Sequence, residues 1–190
     1  LSMEIHKIAG KNVYFFESVR STMNTAKKLC GKVKEPVIVS YVQRCGRGRQ
    51  GSRWISNQGG LWLSVVWNNV PKIILNYLFI LVAKATVDTL ESIGIKAKIK
   101  IPNDILVENH KIAGILIENS GNRVIIGIGI NINNTITREM GDAISCKQVL
   151  GKEINSESFL SSLLINLDYV RQQCGKNNDK ILKDIKRFLI

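Results

Sequence analysis

Residues 105–132 read ILVENHKIAGILIENSGNRVIIGIGINI, and this stretch decides the fold class. Two polar segments, 108–110 and 120–122, interrupt a run dominated by isoleucine, leucine and valine. Asparagine and glycine at such interruptions favour tight turns between neighbouring strands. The pattern therefore predicts three consecutive antiparallel strands at 105–107, 111–117 and 124–132.

Weaker patterns on either side of this stretch add further strands and helices. Short apolar runs predict strands at 13–16, 37–42, 61–67 and 95–101. Capping residues and apolar stripes predict helices from Ser21 or Thr22 to Gly31, from Pro71 to about 93, from Ser156 onward and over about 181–189. The expected fold class is α+β, with a mixed, largely antiparallel central sheet on which helices pack.

Composition indicates a single globular domain with reduced cysteines. The chain has 190 residues, of which 45% are hydrophobic, so we expect one domain over 1–190 with a core that needs no disulfides. No Cys-x-x-Cys pair occurs among the four cysteines, and there are only two histidines, so no zinc site is indicated. The most apolar run, 77–83, is too short to span a bilayer, and no signal peptide opens the chain. A cytoplasmic protein without membrane contact is expected.

Positive charge is concentrated in one unusual segment. The formal net charge of +12 attracts nucleotides, nucleic acids or acidic proteins without distinguishing among them. Residues 45–54, CGRGRQGSRW, combine three glycines and three arginines with no acidic residue. Glycine lets backbone N–H groups approach an anion, and guanidinium groups offer paired donors, so the segment predicts a phosphate-binding loop. An Arg-Gly nucleic-acid segment fits the same residues.

Three more segments carry polar groups within strand-like sequence. They read KIPND at 100–104, KIAGILIE at 111–118 and GIGININ at 127–133. With the arginine segment, their order and spacing resemble the signature of biotin protein ligases: Gly-Arg-Gly-Arg-x-Gly, Lys-Trp-Pro-Asn-Asp, Lys-x-x-Gly-x-Leu-x-Glu and Gly-x-Gly-x-Asn. The resemblance covers about 18–133, and four ordered motifs are far more specific than any one of them.

The resemblance implies an ATP-dependent, AMP-forming ligase on a sheet related to that of class II aminoacyl-tRNA synthetases. Such an enzyme activates biotin as biotinyl-5'-AMP and transfers it to a lysine of a biotin carboxyl carrier domain. ATP and Mg²⁺ are implied beside the substrate biotin, and the metal is expected to accompany ATP rather than a set of protein side chains. We expect no N-terminal helix-turn-helix domain and hence no DNA partner, and a C-terminal β-barrel that is absent or truncated. A homodimer is left open.

Site residues follow from the resemblance, position by position. The expected biotin contacts are Ser21, Thr22, Met23, Gln43, Arg47, Gly48, Arg49, Lys111 and Gly114. The expected ATP contacts are Arg47, Arg49, Trp54, Lys100, Asn103, Lys111, Gly129 and Asn131. Lys111 and Arg49 are expected to neutralise charge during adenylation, and Asp104 to orient or deprotonate the acceptor amine.

Two positions depart from the family pattern. Ile101 stands where relatives have Trp, and we expect it to fill the same apolar role with less area. Met23 stands where many relatives read Asn after Ser-Thr. Methionine supplies no amide hydrogen bond, so ligand contact there would come from the backbone or from sulfur.

Structural roles remain open at several of these positions. Ser21 and Thr22 equally suit helix capping, and Asn103 equally suits a turn after proline. The structural alternative to ligand binding is a β-bulge for Gly114 and a position in the core for Trp54. For Lys111 it is a solvated position at the start of a strand.

Two other functions compete with biotin ligation. A lipoate ligase or octanoyl transferase would use a related sheet, but their Arg-Arg…Gly-Gly…His type of signature is absent. An RNA-binding module would use the Arg-Gly segment, but the basic segments lack stacking aromatics.

Overall fold

The fold is built on one eight-stranded sheet with helices on both faces. The computed structural model describes residues 3–173 and 188–190. The strands are β1 (Met3–Ile8), β2 (Lys11–Val19), β3 (Val37–Gln43), β4 (Leu61–Asn68), β5 (Lys98–Lys100), β6 (Asp104–Val107), β7 (His110–Ser120) and β8 (Arg123–Ile130). The helices are α1 (Thr22–Leu29), α2 (Lys72–Leu75), α3 (Leu78–Ser92), α4 (Cys146–Leu150) and α5 (Ser156–Gln173).

The sheet order is β1-β2-β3-β4-β8-β7-β6-β5. Every neighbouring pair is antiparallel except β2 and β3, which are parallel and are joined by α1. A parallel pair requires such a crossover, whereas β6, β7 and β8 need only tight turns. These turns use the left-handed residues Glu108, Asn109 and Gly121. The α+β class and the antiparallel β6-β7-β8 meander are confirmed.

Two apolar clusters hold the helices to the sheet. The larger cluster lies between one face of the sheet and the packed pair α3 and α5. The smaller cluster lies on the opposite face, where Met23 and Ala26 of α1 meet Ile38 of β3 and Ile125 of β8. In strand β8, isoleucines 126, 128 and 130 point into the larger cluster. The positions between them, 127 and 129, face α1 and are glycine, so they add no side chain to that face. The α1 face of the sheet is therefore open at this end.

Several predicted elements differ in the structure. The helix predicted over 71–93 is interrupted, since α2 ends at Leu75 and α3 begins at Leu78. Only Lys98–Lys100 of the strand predicted over 95–101 joins the sheet, and β8 ends at Ile130. Strand β1 and helix α4 were not predicted. The basic helix predicted over 181–189 lies largely outside the described residues, and its described end forms a bridge between Leu189 and Ile99 instead.

Across residues 3–173 and 188–190, no helix is both long enough and apolar enough to cross a membrane. Cys30, Cys45 and Cys146 carry free thiols.

Candidate active site

A cleft opens on the α1 face of the sheet, where the beginning of α1 and the end of β3 approach β7 and β8. Its polar and charged lining comes from separate segments: Ser21, Thr22, Gln43, Arg47, Ser52, Arg53, Asn103 and Lys111. Its apolar lining includes Met23, Trp54 and Leu116, and Gly48, Gly114, Gly127 and Gly129 complete the wall. The parallel connection through α1 is what brings residues 21–23 next to Gln43.

Glycines form the floor of this cleft. Gly114 and Gly129 are paired across β7 and β8, and Trp54 lies directly on them. A Cβ at position 114 would lie 2.7 Å from the Trp54 ring, and one at position 129 would lie 2.5 Å from its Nε1. Gly127 makes the same kind of room for Met23, whose Sδ would lie 2.7 Å from an added Cβ. Two large side chains thus occupy space that the glycines leave free.

Hydrogen bonds fix the amide of Gln43 at the inner end of the cleft. The backbone N–H and the hydroxyl of Thr22 both donate to Gln43 Oε1, at 2.8 and 3.0 Å. Gln43 Nε2 in turn donates to Ser56 Oγ at 2.8 Å, and Ser64 Oγ donates to Thr22 Oγ1 at 2.8 Å. Gln43 therefore keeps one amide hydrogen in a held orientation.

Two polar atoms beside this network are buried without a partner in the described part of the chain. They are Ser21 Oγ and Trp54 Nε1. Ser21 stands at the N-cap position of α1, but its hydroxyl makes no capping bond. Buried polar groups are nearly always hydrogen-bonded, so two orphans lining one cleft indicate a site for a polar ligand.

The opposite end of the cleft carries a charged pair. Lys111 Nζ lies 2.6 Å from Asp104 Oδ1 and 4.9 Å from the centroid of the Trp54 ring. The side-chain amide of Asn103 also donates to Asp104 Oδ1, at 3.0 Å. Register places Asp104 of β6 opposite Gly114 of β7, next to the floor. An ammonium and a carboxylate are therefore available at the same point.

Residues 45–54 form a closed turn, here called the arginine hairpin. The backbones of Arg47 and Arg53 form an isolated antiparallel β-bridge. Gly48 N–H donates to Ser52 O at 2.7 Å, and Trp54 N–H donates to the carbonyl of residue 46 at 2.9 Å. The Arg47 guanidinium reaches out of the hairpin. Its Nη2 lies 3.0 Å from Asn24 Oδ1 and 3.3 Å from Glu118 Oε1. The hairpin is thereby tied to α1 and to β7.

A second cleft lies beside Trp54 and shares three residues with the first. The shared residues are Arg53, Trp54 and Lys111. The remaining lining is Ile55, Asn131, Glu139, Met140 and Ala143. Asn131 is committed to the scaffold, because its Nδ2 donates to Lys111 O at 3.4 Å and its Oδ1 accepts from Asn134 at 3.1 Å.

Most residues predicted for the site meet in these two clefts. Those that line the first cleft are Ser21, Thr22, Met23, Gln43, Arg47, Gly48, Trp54, Asn103, Lys111, Gly114 and Gly129. Asn131 lines the second cleft, and Asp104 contacts Lys111. Arg49 and Lys100 are exposed and line neither cleft. Their roles stay predictions.

The structure also corrects one expectation and adds residues. Ile101 is 54% exposed, so the expectation that it fills an apolar wall was wrong, because the chain turns outward there before β6. Ser56, Ser64 and Gly127 were missed. Ser64 had a signal, since it is the single polar residue within LWLSVVW of β4. Glu139 and Met140 had none, because their loop carries no motif.

Comparisons with known proteins define the class of this fold. Residues 15–133 match the sequence profile of the biotin/lipoate A/B protein ligase family. A biotin protein ligase from Aquifex aeolicus in complex with biotin and ATP superposes with a TM-score of 0.87, at 28% identity, over 95% of this chain and 79% of that one. A T. acidophilum structure with bound lipoic acid shares the fold at 13% identity and a TM-score of 0.64. The chain belongs to the biotin/lipoate A/B protein ligase family.

Among curated relatives, the bifunctional ligase/repressor BirA of Bacillus subtilis is 33% identical over 173 residues. That match covers 84% of this chain and 53% of the relative. The chain thus spans about half the length of this curated relative.

Proposed function

We propose that the chain is a biotin protein ligase, which activates biotin with ATP and transfers it to a lysine of a biotin carboxyl carrier domain. In the first step a biotin carboxylate oxygen bonds to the α-phosphorus, and the bond to the β-phosphate breaks as pyrophosphate leaves. In the second step the lysine nitrogen bonds to the carbonyl carbon, and the bond to AMP breaks. The similarity to the Aquifex aeolicus ligase supports both ligands.

The unpartnered hydroxyl of Ser21 beside the oriented Gln43 amide is the observation that carries the proposal. The ureido ring of biotin is neutral and offers both N–H donors and a carbonyl acceptor. Ser21 Oγ can accept from one and donate to the other, and Gln43 Nε2 has one hydrogen left to donate. A site built this way rejects an acid that lacks those groups, because its own polar atoms would stay unpaired. The cleft therefore favours biotin over lipoate.

The charged end of the cleft suits the adenylation step. The biotin carboxylate and the α-phosphate of ATP, which are both anionic, must meet there. Lys111, Arg47 and Arg53 offer positive charge around the point where these two groups would react. Trp54 sits between the two clefts, with its indole supported by the glycine floor. We assign the first cleft to biotin and the second to the nucleotide, with Trp54 as the aromatic surface for the adenine ring.

The ion pair between Lys111 and Asp104 fits a reaction in which adenylation is followed by transfer to the carrier lysine. Asp104 holds the Lys111 ammonium at 2.6 Å. The adenylate phosphate competes for the ammonium and leaves Asp104 free to take a proton from the attacking amine. Arg49 is assigned to charge neutralisation and Lys100 to phosphate contact on resemblance alone.

Magnesium fits this site only as a companion of ATP. The described residues contain no group of three or more histidine, cysteine or acidic side chains that could hold a metal ion. Mg²⁺ commonly binds through one or two carboxylates together with substrate phosphates, and Glu139, which lines the cleft assigned to the nucleotide, is the candidate carboxylate there. Bound there, the ion would offset phosphate charge.

The direct test is adenylate formation followed by transfer. Purified protein should release pyrophosphate only when biotin and ATP are both present, and should then label a carrier domain. Lipoate in place of biotin should give neither product. Lipoate turnover equal to biotin turnover would overturn the biotin assignment.

A pair of serine variants tests the observation itself. Ser21→Ala should raise the Kd for biotin about tenfold without lowering the melting temperature, because the lost hydroxyl has no partner in the described chain. Ser40→Ala is the matched control. Its buried hydroxyl donates to the backbone carbonyl of Val42 at 2.8 Å, so its loss should destabilise the fold and leave the Kd unchanged.

A further inference from the structure

A basic concave surface adjoins the first cleft. It lies between the end of β2, helix α1 and the arginine hairpin, and it shares Ser21, Arg47 and Arg53 with the cleft. Six exposed basic residues line it, and together they define what we call the cationic groove: Arg20, Lys27, Lys28, Arg44, Arg47 and Arg53. The groove therefore reaches the reacting end of the site along the hairpin.

The positive charge of this groove is mostly uncompensated. No acidic residue is part of its lining. Lys27 and Arg47 share the carboxylate of Glu118, at 2.6 and 3.3 Å. The other four basic residues form no ion pair within the chain as described. Like charges held this close repel one another, so an anionic partner gains electrostatic energy from all of them at once.

The chemistry of the groove favours acidic side chains over single-stranded nucleic acid. Binding of unpaired bases relies on exposed aromatic side chains as stacking surfaces. The one aromatic residue in the groove lining is Phe16, which is only 8% exposed and packs in the smaller apolar cluster. Guanidinium and ammonium groups without aromatics match carboxylates, which arginine binds through paired hydrogen bonds.

We propose that the cationic groove docks acidic side chains that flank the acceptor lysine on the carrier domain. This inference rests on the proposed function, because it assigns a surface to the second substrate of that reaction. A lysine on a protein surface reaches the cleft only if the surrounding surface settles against the enzyme, and the groove lies directly beside the cleft. Its field steers an acidic surface and speeds encounter. The same field disfavours the ammonium form of the arriving lysine, which must be neutral to attack.

The test separates carrier recognition from adenylation. The variant Lys28→Glu/Arg44→Glu reverses two groove charges that are assigned no part in catalysis. The control Lys96→Glu/Lys152→Glu makes the same charge change at exposed positions outside the groove. Pyrophosphate release in single turnover with biotin and ATP is measured without carrier, and KM and kcat for carrier labelling are measured at low and high salt.

We expect adenylate formation by the groove variant to stay within about twofold of wild type, while its KM for the carrier rises about tenfold at low salt. The difference should shrink at ~0.5 M salt, where exposed charges are screened. A carrier whose flanking acids are changed to lysine should label better with the groove variant than with wild type. If the double variant loses adenylate formation, the single variants Lys28→Glu and Arg44→Gln carry the same comparison.

Three other outcomes would each overturn the proposed role of the groove. A KM equal to that of the control, with wild-type labelling intact, overturns the groove assignment alone. Loss of binding to a labelled RNA oligonucleotide with an unchanged carrier KM would assign the groove to nucleic acid instead. A wild-type protein that forms no adenylate would overturn the proposed function and, with it, this inference.

Discussion

Gly114, Gly127 and Gly129 put bare backbone on the α1 face of the sheet where any side chain would project into the cleft. At positions 114 and 129 the space is taken by Trp54, and at position 127 it is taken by Met23. Met23 is only 4% exposed and belongs to the smaller apolar cluster, yet its side chain lines the first cleft. Its thioether therefore forms part of the cleft wall above Gly127.

Gly127→Ala should narrow this cleft without unfolding the protein. The added Cβ would lie 2.7 Å from Met23 Sδ, which is near the end of a flexible side chain and moves more easily than a strand. We expect the Kd for biotin to rise about tenfold and the melting temperature to change little. Met23→Ala in the same chain should restore most of the affinity. Calorimetry of the four proteins of this cycle measures the coupling, and purely additive effects would contradict it.

Lys111 and Asp104 should separate the two chemical steps. Lys111→Ala removes a partly exposed ion pair worth about 1 kcal/mol or less, so the protein should stay folded. Pyrophosphate release should fall by about 10²–10³-fold, since a preorganised cation is lost at the reacting phosphate. Asp104→Asn keeps the shape and should slow transfer to the carrier more than adenylation. Undiminished pyrophosphate release by Lys111→Ala would exclude the assigned role.

Most of the candidate site could be predicted because the family resemblance rests on motifs whose residues lie close to one another in sequence. Residues 21–23 and the arginine hairpin are local segments, and a local pattern is visible in one chain. Ser56 and Ser64 act through Gln43 and Thr22, from other strands, so only the sheet register reveals them. The prediction for Ile101 was wrong for a related reason. Its exposure depends on how the chain turns before β6.

At the scale of elements, the arginine hairpin is a small structured unit with one long side chain as its anchor. Its turn is closed by backbone hydrogen bonds, among them Gly48 N–H to Ser52 O at 2.7 Å. The anchor is Arg47, which contacts Asn24 of α1 and Glu118 of β7. Any ligand that draws Arg47 into the cleft competes with these contacts. A ligand carboxylate can thus replace the Glu118 carboxylate as the ionic partner of Arg47.

Glu118→Gln should loosen the hairpin. Without the carboxylate, Arg47 loses its charged partner and the hairpin should open more often, so trypsin should cut at its arginines severalfold faster. Biotin together with ATP should slow the cleavage of both proteins. Glu153→Gln, which removes the exposed partner of Lys147, is the control. Equal cleavage of Glu118→Gln and wild type would show that Arg47 does not anchor the hairpin.

Elements with strong local signals were the predictable ones. The β6-β7-β8 meander has turn residues at both ends and apolar strands between them, so its prediction was confirmed. Strand β1 was missed because it is short and five of its six residues are exposed, so it carries no buried apolar run of the kind that indicated the other strands. The break between α2 and α3, at Asn76 and Tyr77, contains no proline or glycine, so no local signal in the sequence marks it.

The whole molecule is held together partly by an ion pair between the connection after α1 and the long helix α5. Glu35, in the connection from α1 to β3, accepts hydrogen bonds from Arg171 of α5 at 2.7 and 2.5 Å. It also accepts one from the backbone N–H of Asn68 at 2.8 Å. Burial alone would raise the pKa of Glu35, but the hydrogen bonds and the positive charge of Arg171, with help from Asn68, outweigh it and lower the pKa.

This lowered pKa makes part of the stability depend on pH. A glutamate with a lowered folded pKa contributes stability above its unfolded pKa of about 4.3, and the contribution is lost as pH falls through the folded pKa. Glu35→Gln should therefore be less stable than wild type at pH 7, with a difference that shrinks steadily below pH ~4. Urea unfolding at pH 7 and pH 3 measures it. A difference of equal size at both pH values would point to a packing effect.

Because Trp54 lies against both Gly114 and Gly129, three positions on three separate segments share one constraint over evolutionary time. An alanine at either glycine collides with the indole ring, whereas a smaller residue at position 54 collides with nothing. Loss of the tryptophan first removes this collision, so we expect relatives that keep the indole to keep glycine at both positions.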